Sequence, residues 1–124
     1  MTKKIVIIDY GVGNILSIKN AISYQGYDSI VTNKNKLIEN STHIILPGVG
    51  AYPLAMEKLK NLKLIDSLNI AREKGIFILG ICLGMQLLFS ASDEFGSSEG
   101  LNLIKGNIAK LDKFKQNQNI KLPN

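Results

Sequence analysis

The chain has 124 residues, of which 45% are hydrophobic, and a formal net charge of +5. This length fits one domain or part of one, and the hydrophobic content is sufficient for a packed core. The positive charge is spread along the chain and comes almost entirely from lysine, since Arg72 is the only arginine. Nucleic-acid-binding proteins usually gather arginine and stacking aromatic side chains on one face, so we predict no nucleic-acid partner.

The cysteine count and the first apolar run indicate the cellular setting. A single cysteine, Cys82, cannot form an intramolecular disulfide, which fits a reducing environment. The apolar run Ile5–Ile8 is too short for a membrane span or for the hydrophobic core of a signal peptide. We therefore expect a cytoplasmic protein without a membrane partner.

The first predicted unit is a strand, a turn and a helix. Lys4 to Asp9 forms an apolar strand, and apolar residues recur at helical spacing from Asn14, a suitable cap, to Gln25. Gly11 and Gly13 resemble the start of a dinucleotide-binding fingerprint, but its third glycine is missing. We therefore predict no nicotinamide or flavin site, and nothing else in the sequence indicates a cofactor.

The middle of the chain continues the alternation of strands and helices. Tyr27 to Thr32 and His43 to Leu46 are predicted strands, with room for one helical turn between them. The glycine-rich loop Pro47-Gly48-Val49-Gly50 follows, and helices are predicted at roughly Tyr52 to Lys60 and Leu64 to Lys74. Such alternation favours right-handed crossovers and a parallel sheet, in which the loops that follow the strands meet at one edge.

The fourth predicted strand leads into a turn that contains the only cysteine. Ile76 to Leu79 is an apolar run that we expect to be fully buried, and Leu83 to Phe89 continues at helical spacing. Two glycines flank the cysteine in Gly80-Ile81-Cys82-Leu83-Gly84, the spacing of a nucleophile elbow, in which a sharp turn from strand to helix exposes the nucleophile. Cys82 is therefore a candidate nucleophile, and the Leu83 N–H is a candidate oxyanion donor. A lone cysteine in an apolar run can also be a small buried residue, but the paired glycines favour the nucleophile.

The sequence becomes polar beyond the fourth unit. Residues 90–100 are predicted to form a polar loop, Leu101 to Ile104 a short turn, and Gly106 to Leu111 a strand. The predicted fold class is therefore α/β, with a mostly parallel sheet, helices on both faces, and the start of an antiparallel extension after residue 100.

Four motifs occur in the order found in class I, triad-type glutamine amidotransferases. They are Asp9-Tyr10-Gly11-Val12-Gly13-Asn14, Pro47-Gly48-Val49-Gly50, Gly80-Ile81-Cys82-Leu83-Gly84-Met85-Gln86 and Gly100-Leu101-Asn102-Leu103-Ile104-Lys105-Gly106. The chain resembles this family over nearly all of its length, which implies a flavodoxin-like fold. Its motifs are most similar to those of glutaminase subunits that supply ammonia to a cyclase of (β/α)₈ type in histidine biosynthesis, working as a heterodimer.

The resemblance also implies a role for each candidate site residue. Cys82 would attack the side-chain amide of L-glutamine and form a glutamyl thioester, while the backbone N–H groups of Leu83 and Val49 stabilise the oxyanion. The substrate would be bound by Gly48, Gly50, Gln86 and Glu94. The alternative roles of the last two are an exposed glutamine on a helix and a solvated acid in a loop.

One family motif is absent from the sequence. The catalytic histidine and glutamate of the family lie in a His-Pro-Glu motif near the C-terminus of a longer chain, and nothing here matches it. The only histidine, His43, opens a predicted strand and does not fit a catalytic base. We therefore interpret residues 1–124 as an incomplete class I amidotransferase domain, either the N-terminal part of a longer member or a truncated form, and expect it to be inactive alone.

Three alternatives stay open at the level of sequence. A paralogous amidotransferase could send ammonia to another acceptor, such as a surface-sugar intermediate. A non-catalytic binding subunit could keep the elbow and lack the base. A cysteine hydrolase with a related elbow could act without glutamine specificity, although the Pro47–Gly50 loop together with Gln86 argues against it.

Overall fold

Four parallel strands form the main sheet of the computed structural model, which describes residues 2–111. The strands are β1 (Ile5–Ile8), β2 (Ser29–Thr32), β3 (His43–Leu46) and β4 (Phe77–Gly80). Their order is β2-β1-β3-β4, with Ile5 aligned to Ser29 and to His43, and His43 aligned to Phe77. All four predicted strands are confirmed, because their apolar, β-branched runs suit a buried parallel sheet.

Five helices connect and follow these strands. They are α1 (Ile15–Tyr24), α2 (Asn35–Glu39), α3 (Tyr52–Asn61), α4 (Leu64–Glu73) and α5 (Leu83–Leu87). Asn14 caps α1 by accepting a hydrogen bond from the Ser17 N–H at 3.4 Å, and Gly26 follows its end with a φ of 89°, a conformation that suits glycine. Pro53 lies in the first turn of α3, where its missing N–H removes no helical hydrogen bond.

One face of the sheet holds the hydrophobic core. Val6, Ile8, Ile44 and Leu46 point to this face, since side chains alternate along a strand, and all four are buried. The apolar sides of α2, α3, α4 and α5 pack against them through Ile38, Leu59, Leu64, Leu68, Ala71 and Leu87. The apolar residues recur at helical spacing in these helices because one side of each helix packs on the sheet.

The opposite face carries α1 and is partly open in the region that the structure describes. An apolar groove of about 700 Å³ lies between α1 and this face of β3 and β4. Phe77 is 70% exposed and Leu79 is 58% exposed. The prediction of a fully buried fourth strand is therefore wrong for residues 2–111, because β4 is the last strand of the sheet and no described element covers this side of it.

A small second sheet follows α5. Its strands are β5 (Ala91–Ser92), β6 (Ser98–Glu99) and β7 (Asn107–Ile108), in the order β6-β5-β7. The predicted extension is present with a correction, because β7 pairs with β5 in parallel and the antiparallel pair is β5 with β6. Both β5 and β6 lie within the predicted polar loop, so that part of the prediction is wrong. Two-residue strands have no hydrophobic alternation to reveal them.

The helices among residues 2–111 were compared with the requirements for a membrane span. None of them has the length and apolar content needed to cross a bilayer. The predicted domain extends to Asn124, and its last part, residues 112–124, lies outside the described residues.

Candidate active site

The loops that follow β1, β3 and β4 meet at the carboxyl edge of the main sheet, as predicted. The Tyr10 hydroxyl donates a hydrogen bond to the Pro47 carbonyl at 2.6 Å. The Leu83 N–H donates to the Gly48 carbonyl at 3.1 Å. Gly13 also approaches this loop, since a Cβ added to it would lie 2.9 Å from the Pro47 Cβ. The Pro47–Gly50 loop therefore lies between the other two and is bonded to both.

The turn at Cys82 has the geometry of a nucleophile elbow. Cys82 has φ 54° and ψ −122°, a conformation that costs a non-glycine residue about 1–3 kcal/mol. Its side chain is exposed. A Cβ on Gly84 would collide with the Leu46 carbonyl oxygen, and one on Gly80 would lie 2.5 Å from the Met85 Cα. The flanking glycines therefore let strand and helix approach closely enough to present the sulfur on the outside of the turn.

The two predicted oxyanion donors are not directed at Cys82 together in this structure. The Leu83 N–H is already paired with the Gly48 carbonyl. That carbonyl and the Val49 N–H belong to one peptide unit, and in a trans peptide they point in opposite directions. The Val49 N–H therefore points away from the Leu83 amide. Gly50 follows with φ 95°, so the loop turns sharply here.

Tyr10 is a site residue that sequence reasoning missed. Its side chain is only 2% exposed, and burial raises the pKa of its hydroxyl. The hydroxyl therefore stays protonated and acts as the donor to the Pro47 carbonyl. The one sequence signal was a tyrosine immediately after an apolar strand, at the edge where ligands bind to parallel sheets.

The two predicted side-chain contacts to substrate lie on different elements. Gln86 is half-buried on α5, and its N–H donates to the Cys82 carbonyl at 3.3 Å, one helical turn from the nucleophile. Glu94 lies between β5 and β6, where its N–H donates to the Ser92 hydroxyl at 3.3 Å. Glu94 therefore belongs to the second sheet, whereas Gln86 lies on α5, the helix that follows the elbow.

His43 lies at the amino edge of the sheet. Its Nδ1 is 2.8 Å from the Thr42 hydroxyl, and its ring stacks on Phe77 with centroids 5.2 Å apart. Phe77 opens β4, whereas Cys82 follows the end of that strand, and a four-residue strand spans about 13 Å. His43 therefore lies too far from the sulfur to exchange a proton with it directly.

The chain belongs to the class I glutamine amidotransferase family, since the family described as "Glutamine amidotransferase class-I" matches residues 6–122. More particularly, it is 50% identical to imidazole glycerol phosphate synthase subunit HisH of Caldanaerobacter subterraneus subsp. tengcongensis over 107 residues, which are 86% of this chain and 53% of that subunit. It is also 50% identical to subunit HisH 2 of Methanococcus maripaludis over 121 residues, 96% of this chain and 57% of that subunit. The chain thus spans about half the length of the curated relatives it matches.

A solved structure supports the fold independently. A crystal structure of a glutamine amidotransferase matches 85% of this chain and 56% of its own chain, with a TM-score of 0.72 and 18% sequence identity. The similarity confirms the predicted fold class.

Proposed function

We propose that the protein containing these residues hydrolyses L-glutamine and delivers the ammonia to the cyclase subunit of imidazole glycerol phosphate synthase in histidine biosynthesis. The observation that carries the proposal is the exposed Cys82 in a strained turn beside the Pro47–Gly50 loop. Membership of the amidotransferase family and the similarity to HisH subunits agree with it. The destination of the ammonia rests on those relatives alone.

The proposed chemistry uses Cys82 as nucleophile. Its sulfur attacks the carbonyl carbon of the glutamine side chain, and the carbonyl oxygen becomes an oxyanion. Collapse of this intermediate breaks the C–N bond, and the nitrogen leaves as ammonia after taking a proton. Water then attacks the glutamyl thioester, which releases glutamate and returns the thiol. Both steps need a proton carrier close to Cys82, which we assign to chain beyond the described residues, as the family resemblance implies.

The oxyanion hole requires a change in one peptide. We propose that the Gly48–Val49 peptide rotates, which frees the Leu83 N–H from the Gly48 carbonyl and turns the Val49 N–H towards Cys82. Glycine at position 48 suits this rotation, because its backbone has wide conformational freedom. Loss of even one oxyanion donor typically lowers kcat about 10²–10³-fold, so we expect low activity while the Leu83 N–H is paired with the Gly48 carbonyl.

Substrate binding is assigned to the groups around the elbow. Gly48 and Gly50 let the backbone approach the glutamine closely, and Gln86 lies one turn from the nucleophile. Glu94 would bind the substrate's ammonium group by charge pairing. L-glutamine is thereby held at its amino-acid end while Cys82 attacks the amide.

The proposed partner is a cyclase of (β/α)₈ type, bound as a heterodimer in the cytoplasm. Ammonia that escapes into bulk water is diluted and protonated, so a partner at the carboxyl edge of the sheet makes chemical sense. The names of the relatives support the existence of a partner subunit, since they describe a subunit of a synthase.

Selective alkylation tests the nucleophile. We expect a diazoketone analogue of glutamine to label Cys82 in the complete polypeptide that contains these residues, since the analogue places its electrophilic carbon where the glutamine amide would lie. L-glutamine should slow the labelling and D-glutamine should not, as measured by mass spectrometry. Cys82→Ala is the control, because it removes the proposed nucleophile, which is the only cysteine among residues 1–124. A protein that turns over glutamine while Cys82 stays unlabelled would contradict the proposal.

Stimulation by the cyclase tests the partner and the occluded hole. We expect the complete polypeptide to co-purify with the cyclase, and its ammonia release to rise about 10²-fold or more when the cyclase is present, because both oxyanion donors become available. A Cys82→Ala subunit should bind the cyclase and release no ammonia. Equal rates with and without the cyclase would argue for a different acceptor enzyme.

A further inference from the structure

The Pro47–Gly50 loop is held by hydrogen bonds to two consecutive carbonyl groups. The Tyr10 hydroxyl donates to the Pro47 carbonyl at 2.6 Å. The Leu83 N–H donates to the Gly48 carbonyl at 3.1 Å. Only the second of these bonds has to break for the Gly48–Val49 peptide to rotate. The first fixes the peptide immediately before it.

Tyr10 is well placed to act as a fixed anchor. It lies two residues after the end of β1, and the N–H of the intervening Asp9 is bonded to the Thr32 carbonyl of the neighbouring strand at 3.0 Å. Both Tyr10 and Pro47 are almost fully buried, so water cannot readily replace their bond. A Cβ on Gly48 would lie 2.9 Å from the Tyr10 hydroxyl oxygen, so that hydroxyl also packs against the residue that must rotate.

We propose that Tyr10 is a positioning residue for the oxyanion hole. Its hydroxyl holds the Pro47–Gly48 peptide still, which confines the rearrangement to the single Gly48–Val49 peptide and fixes where the Val49 N–H arrives. The inference rests on the proposed glutaminase function. Tyr10 acts on the loop and not on the substrate, since its side chain is buried beneath the Pro47 backbone.

The competing explanation is that Tyr10 only fills the core, where its ring belongs to the main hydrophobic cluster. Tyr10→Phe separates the two, because it keeps the ring and removes only the hydroxyl. Tyr52→Phe is the matched control. Tyr52 is also fully buried, but its hydroxyl has no hydrogen-bond partner among residues 2–111, so the substitution leaves no carbonyl without its donor.

Amide hydrogen exchange measures the loop directly. In the complete polypeptide we expect Tyr10→Phe to speed exchange of the Leu83 amide about tenfold, which corresponds to about 1.4 kcal/mol, because the Gly48 carbonyl is less firmly held against it. Exchange of the Ile76 amide, which donates to Ala71 at the end of α4, should stay within about twofold. Tyr52→Phe should change neither amide. Uniform acceleration at Leu83 and Ile76, or no change at Leu83, would overturn the proposal.

Steady-state kinetics with the cyclase present measures the consequence for catalysis. Tyr10→Phe should lower kcat for glutamine about tenfold and leave KM within about twofold, since the hole acts on the transition state and Tyr10 does not touch the substrate. A purely structural role would lower the thermal midpoint without this split between kcat and KM, and that result would count against the proposal. If the unsubstituted protein releases no ammonia from glutamine, the proposed function fails, while the exchange of Leu83 still decides whether Tyr10 fixes the loop.

Discussion

Gly84→Ala should cost about 3 kcal/mol of folding free energy and lower kcat about 10²-fold. The added Cβ would collide with the Leu46 carbonyl oxygen, which is backbone and cannot rotate away as a side chain would. That oxygen also accepts the Ile81 N–H at 3.0 Å, so moving the strands apart breaks a second contact of the elbow. Displacement of the nucleophile by about 1 Å is enough for a loss of this size.

The measurement is urea unfolding of the complete polypeptide, combined with ammonia release from glutamine. Gly26→Ala is the matched control. A Cβ added to Gly26 would have no atom within 4 Å, but the alanine would have to adopt the left-handed φ of 89°. It should cost only the left-handed penalty of about 1–2 kcal/mol and leave turnover unchanged. Equal effects of the two substitutions would show that the close approach at Gly84 is not what shapes the elbow.

Local sequence patterns were enough to predict the strands and the turn at Cys82. The runs Ile5–Ile8 and His43–Leu46 are strands as predicted, because they are only four residues long and rich in β-branched isoleucine, and both properties favour a strand over a helix. The elbow was predictable for a similar reason. A sharp turn at Cys82 needs glycine two residues away on each side, and those glycines stand in the sequence.

Features that depend on tertiary contact were not predictable. The hydrogen bond between Tyr10 and Pro47 joins residues 37 positions apart, and no periodicity in either segment indicates it. The pairing of the Leu83 N–H with the Gly48 carbonyl similarly depends on the orientation of one peptide, which is independent of side-chain type. The sequence therefore identified Leu83 and Val49 as candidate donors and could not indicate that the first is occupied and the second turned away.

The exposed face of β4 is a different case. The apolar residues of this strand favour burial, but burial of a sheet face also requires an element that packs on it. Phe77 and Leu79 are exposed because β4 is the last strand in the order and nothing between residues 2 and 111 packs on that side. The residue pattern of a single strand shows which of its faces are apolar, but it does not show which element packs on them.

Residues 1–124 alone should not turn over glutamine at a useful rate. The departing nitrogen needs a proton, and thioester hydrolysis needs a base, tasks for which a positioned side chain contributes about 10²–10⁴-fold. His43 is the only histidine in the chain, and it lies at the amino edge with its Nδ1 beside the Thr42 hydroxyl and its ring against Phe77. Direct proton transfer to or from Cys82 would have to cross about the length of a strand, roughly 13 Å.

The test is ammonia release by purified residues 1–124, with and without the cyclase, beside the same chain carrying Cys82→Ala. We expect the two chains to be indistinguishable, and the complete polypeptide to exceed both at least about 10²-fold. In the complete polypeptide, His43→Asn should keep kcat within about twofold, because the side chain stands outside the site. Turnover by residues 1–124 that depends on Cys82 and matches the complete polypeptide, or a His43→Asn variant that loses activity while staying folded, would show that His43 or another described residue supplies the base.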